Sequence, residues 1–162
     1  MKQTSQHGEL TLPRMLLAGL AAGMAEVAWI GSYSSVSALN VADVARQITA
    51  TVLPTAAFGL PIVEGIVIHL VLSFILVAVF VATVWRPAER LYGRAGTLLT
   101  AIVVLFGVWA FNFFVLLPAL SPGFVHLMPY SVSLISKLLF GVTMASILPG
   151  RAPARAVRSV SK

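Results

Sequence analysis

Residues Glu64 to Val84 read EGIVIHLVLSFILVAVFVATV. After Glu64 the only ionisable side chain in this stretch is His69. At 1.5 Å of rise per helical residue, about 20 such residues cross the ~30 Å hydrocarbon core of a bilayer. A helix on the surface of a soluble domain would carry a polar stripe, and this one has none. The segment therefore reads as a membrane span ending at Trp85.

Working outward, the same reading applies to three further apolar runs, about 15–33, 96–117 and 128–148. The whole chain is 59% hydrophobic and only 10% charged, with a mean hydropathy of +0.96. Soluble domains carry roughly 25% charged residues, and a chain of this size has no core large enough to hide so much apolar surface. The predicted fold class is an all-α integral membrane protein. It has four transmembrane helices at 15–33, 64–85, 96–117 and 128–148, forming a bundle over 12–149 between a polar tail (1–11) and a basic tail (150–162).

The formal charge of +6 suggests nucleic acid only until the basic residues are located. Lys2, Arg14, Arg86, Arg90, Arg94, Arg151, Arg155, Arg158 and Lys162 fall on one side of the four spans, and Arg46 alone falls on the other. By the positive-inside rule both termini are cytoplasmic, which makes this a multi-pass protein of the cell (inner) membrane and argues against nucleic-acid binding. A cleaved signal peptide is the rival reading of the first run, since Gly23, Met24 and Ala25 include small residues. The run nevertheless continues through Val27–Ile30 without a polar break.

Between the first two spans, Asn40 can cap a short helix over about 40–53, with Asp43 reaching back as in a capping box. Val41, Val44, Ala45, Ile48 and Val52 make one apolar stripe, and Pro54 ends the run. Such a helix is expected to lie in the interface plane or across the outer mouth of the bundle. Arg86 to Arg94 is expected to be a cytoplasmic loop, and Pro118 to Gly123 a tight outer turn.

The informative residues are those that lipid disfavours. Counting 1.5 Å per residue from the inner ends puts Glu26 and Lys137 at similar depth, about 18 and 17 Å, so the two charges are expected to pair. Asn112 and His69 come out higher, at about 24 Å, and Glu64 and His126 reach the outer mouth. The pattern is an intramembrane polar cluster (Glu26, His69, Asn112, Lys137) opening outward above a dry inner half. Gly19 and Gly23 form a GxxxG face that Glu26 continues, so it points at a neighbouring helix. Ser133, Lys137 and Gly141 share a face of the fourth span. Ser73, one turn from His69, is placed to bond its ring. Trp29, Trp85, Trp109 and Tyr130 read as interfacial or packing aromatics.

His69, His126 and Glu64 are candidate ligands for a metal ion or haem, although Glu64 and His69 lie about 140° apart around their helix. Zero cysteines exclude thiolate metal sites, Fe–S clusters and covalent c-type haem. No HExxH, GxSxG, Walker or dinucleotide motif is present, which leans against an enzyme. Small size and helix-packing features suggest an accessory or assembly subunit docked on a larger membrane complex, with a respiratory or redox complex as the expected class. The alternative is a proton- or ion-coupled transporter or channel, self-associating, with Glu26, His69 and Lys137 as its pathway. In either case the partners are the lipid bilayer and other membrane subunits or further copies of the chain.

Overall fold

A computed structural model describes residues 10–53 and 58–148, and every described element is helical. The expectations for the N-terminal tail, for Pro54 and for the segment from Pro149 onward fall outside the described residues.

Helix α1 (Leu12–Ser34) starts with Pro13 in its first turn, where a missing N–H costs nothing. Helix α2 (Val41–Val52) is capped by Asn40, whose side chain accepts from the Ala42 N–H at 2.9 Å. Asp43 does not reach back to close a capping box. It pairs instead with Arg46, at 2.6 Å, because the exposed i,i+3 geometry brings the guanidinium closer than the cap.

Helix α3 (Pro61–Phe80) passes through a wide π turn (Val81–Trp85) into α4 (Arg86–Phe111), and a second π turn (Asn112–Leu116) follows. Two short helices, α5 (Leu117–Leu120) and α6 (Pro122–Leu127), lead to α7 (Tyr130–Ile147). Both π turns contain the residue four positions before a proline: Thr83 before Pro87, and Phe114 before Pro118. A proline ring clashes with that carbonyl and offers no N–H to it, and widening the turn relieves both problems.

Three helical stretches are long and apolar enough to cross a membrane: Leu12–Ser34, Pro61–Leu120 and Tyr130–Ile147. The 60-residue stretch is not one rod. Gly93 has φ 64° and ψ −161°, far from helical values, and the chain doubles back there. Residues 65–72 and 109–117 consequently line one cavity, although a straight helix would hold them roughly 60 Å apart. The expected loop from Arg86 to Arg94 is thus helical except at this glycine, the residue that tolerates positive φ. The expected tight turn at Pro118–Gly123 is likewise two short helices that break at Ser121.

Helix α1 packs between α3 and α7, and α7 carries α4 on its other side. Gly19 and Gly23 allow close approach of α3, since a Cβ on either would meet Phe74 or Ser73. Around the Gly93 end a continuous apolar cluster includes Ala18, Phe80, Trp85, Leu105, Phe140 and Met144. At the α2 end a second cluster gathers Ile30, Val44, Trp109, Phe113, Met128 and Val132. There α3 and α4 do not pack extensively on one another. Outward-facing valines and leucines along α3 and α4 are about half exposed, as expected of surfaces solvated by lipid.

Candidate functional site

The second cluster surrounds a cavity of about 430 Å³. Helix α2 closes one end of it with Val41, Val44, Ile48 and Val52, the same stripe that the sequence marks as apolar. Two attachments hold α2 in place. Gly65 of α3 sits directly against the Ala45 carbonyl, and Thr49 donates to the Pro61 carbonyl. On the far side Gln47 Nε2 donates to Ser121 Oγ at 2.8 Å. Most of the remaining wall is hydrocarbon and aromatic ring, including Trp109, Phe113 and Phe124.

The cavity's polar wall is built on α1, α3 and α7. Glu26 is 97% buried, with 3% of its surface exposed. Its Oε1 takes Lys137 Nζ at 2.8 Å and the Ser136 hydroxyl at 3.1 Å. Its Oε2 is buried with no hydrogen-bond partner. His69 Nε2 stands 3.6 Å from that oxygen and 3.4 Å from the Gly23 carbonyl. A carbonyl only accepts, so Nε2 carries the proton and donates toward Gly23. The glycine at position 23 serves both ends of this contact, because a side chain there would push α3 away.

The structure therefore brings Glu26, His69 and Lys137 together, and Asn112 lines the same cavity with a carboxamide that makes no hydrogen bond among the described residues. Depth counting put His69 about one helical turn above Glu26. A glutamate and a histidine side chain together reach across that 5.4 Å, so the offset does not separate them. Ser73 does not bond the imidazole. Its hydroxyl donates to the His69 carbonyl, the usual i−4 acceptor for a helical serine. Lys137 Nζ also lies 5.4 Å from the centroid of the Phe140 ring.

Glu64 and His126 do not join the cluster. Glu64 accepts the backbone N–H groups of Phe58, at 2.8 Å, and Leu60, capping the start of α3. His126 lies in the last turn of α6, outside the cavity lining. Among the described residues no three metal-ligating side chains converge. One partner of the site, Ser136, carries no signal in the sequence, and Trp109, read there as an interfacial or packing aromatic, makes a specific hydrogen bond. Ser136 is the second donor to Glu26, beside Lys137, and Trp109 fixes Ser133 by donating to its hydroxyl at 2.9 Å. Trp29 bridges α1 to α7 by donating to the Val132 carbonyl.

The arrangement has one acid–base corner in an otherwise oily chamber. Toward the Gly93 end it is plugged by Phe80, Leu105, Phe140 and Met144, each at most 2% exposed. No family model, characterised protein or solved structure matches this chain.

Proposed function

We propose that this protein is a membrane-embedded carrier for a small amphiphilic molecule, which it holds in an outward-open cavity with its polar end at Glu26, His69 and Lys137. The observation that carries this reading is the cavity itself. It joins a continuous apolar wall to a single polar corner that has an unsatisfied carboxylate oxygen. Its 430 Å³ lies within the ~300–1,000 Å³ of ordinary ligand sites, and it has their usual composition of apolar walls and a few convergent polar groups. Ion conduction is a poorer fit, because Phe80, Leu105, Phe140 and Met144 close the cavity toward the Gly93 end with fully buried apolar side chains.

The topology belongs to the same proposal. The reversal at Gly93 makes the long helical stretch two crossings, giving four in all. The arginines around that reversal favour the cytoplasm for the Gly93 end and for both termini. The cavity then opens toward the outer leaflet of the inner membrane.

The test compares wild type with the cavity-filling variants Val27→Phe and Ile48→Phe, each purified in mild detergent and extracted for small-molecule mass spectrometry. A small amphiphile should accompany wild type and be depleted from both variants. If wild type carries nothing beyond bulk lipid, or the filled variants carry the same molecule at the same level, the reading fails.

A second reading, an accessory subunit of a larger membrane complex, draws on the aromatic face of α4 and the turn after it. Phe106, Phe111 and Phe114 all project away from the core there. Native mass spectrometry of the same preparation would reveal that assembly as a mixed complex.

A further inference from the structure

The chemistry of the cavity's corner narrows the ligand class, on the reading of the cavity as an amphiphile site. We propose that the ligand is an uncharged, lipid-soluble alcohol or phenol whose hydroxyl donates to Glu26 Oε2.

Hydrogen-bond inventory is the first reason. The corner's open valence is an acceptor, the second oxygen of a carboxylate whose first oxygen already has Lys137 and Ser136. His69 Nε2 is turned toward the Gly23 carbonyl and leaves that oxygen unserved at 3.6 Å. Oε2 is itself fully buried, so a ligand hydroxyl supplies the missing donor once the Glu26 carboxylate turns toward the cavity that its side chain lines. A hydroxyl can also accept, and Asn112, whose carboxamide makes no hydrogen bond among the described residues, adds a second polar group to the cavity lining.

Charge is the second reason. Glu26 and Lys137 offset one another within 2.8 Å, so the corner has no net charge for a ligand to neutralise. An anionic head entering at Oε2 would face a carboxylate directly. A cationic head would share that carboxylate with the Lys137 ammonium and shed its water for half a partner. A neutral hydroxyl avoids both penalties.

Size and access are the third. A cavity of about 430 Å³ is within the range of ordinary small-molecule sites, enough for a medium-length chain or a substituted ring. Ile66 and Leu72 on α3 and Leu116 in the second π turn line the cavity and are also exposed, which marks a mouth on the lipid-facing flank. A molecule dissolved in the bilayer reaches the cavity along that flank without passing through water.

The experiment uses the full chain in nanodiscs and three probes of equal length: ω-bromoundecanol, ω-bromoundecanoate and ω-bromoundecyltrimethylammonium. Bromine quenches nearby indoles, and Trp109 lines the cavity, so the Trp29→Phe/Trp85→Phe variant isolates its signal. Should that variant not fold, native mass spectrometry of wild type counts retained probe instead. The alcohol should saturate at least tenfold below either charged probe, and the Glu26→Met/Lys137→Met variant should lose that preference. A charged probe that binds as tightly as the alcohol overturns the ligand class and leaves the cavity reading standing. Absence of saturable binding by all three overturns both.

Discussion

Lys137 and Ser136 both reach the same oxygen of Glu26, whose side chain is almost wholly buried while the lysine's is 21% exposed. Removing one partner of such a pair leaves an uncompensated charge, which typically costs 3–5 kcal/mol, whereas replacing both is often close to neutral. Lys137→Met should therefore destabilise the protein by about 3 kcal/mol, and adding Glu26→Gln should recover most of that loss. Unfolding titrations of the two single variants and the double variant, in mixed micelles, check the coupling. Simple additivity would mean that the pair does not act as a unit. At this scale the sequence is legible where burial is expensive. Glu26 and Lys137 stand out because lipid disfavours them, and matched depth suggests their pairing. Ser136 carries no such signal, since a serine in an apolar helix is usually satisfied by its own backbone, as Ser73 is. Glu64 misleads for a related reason. A carboxylate at a helix start resembles a ligand in sequence, yet here it caps backbone N–H groups.

Helix α2 shows what a periodic pattern reveals and what it leaves out. Its stripe at Val41, Val44, Ala45, Ile48 and Val52 is visible in sequence, and the helix forms over Val41–Val52 with Asn40 at its cap. The surface it covers is not visible, because the seat depends on Gly65, a residue of another helix. A methyl group on Gly65 would strike the Ala45 carbonyl. Gly65→Ala separates propensity from packing, since alanine is favoured over glycine within a helix by roughly 1 kcal/mol. The variant should nevertheless loosen α2. Arg46 is the only lysine or arginine between Arg14 and Arg86, so trypsin reports on this helix specifically. Cleavage at Arg46 should accelerate several-fold in Gly65→Ala over wild type, and an unchanged rate would mean that α2 does not depend on that contact. The π turns are legible only in retrospect. Pro87 and Pro118 lie where a loop and a tight turn were expected, and hydrophobic periodicity does not distinguish a proline that ends a helix from one absorbed by a widened turn.

For the molecule as a whole, the decisive feature is the single residue Gly93, which turns 60 helical residues back on themselves. Apolar content predicts membrane helices well, because every backbone group must be satisfied within its own segment in lipid. It says much less about where a helix stops, so the basic segment from Arg86 reads as loop although the helix runs on to the glycine. If the arginine bias sets orientation, Tyr92 beside that turn lies in the cytoplasm and Val36, before α2, lies on the outer face. Both side chains are well exposed, at 67% and 83%. The chain has no cysteine, so a single substitution at either site is the only thiol in the protein. In intact cells a membrane-impermeant maleimide should label Val36→Cys and spare Tyr92→Cys, with labelling of Tyr92→Cys appearing only after the membrane is opened. Labelling of both sites in intact cells would break the four-crossing arrangement, because the two positions would then share one side. The reverse pattern would keep four crossings and invert them, placing the mouth of the cavity and its Glu26 corner toward the cytoplasm.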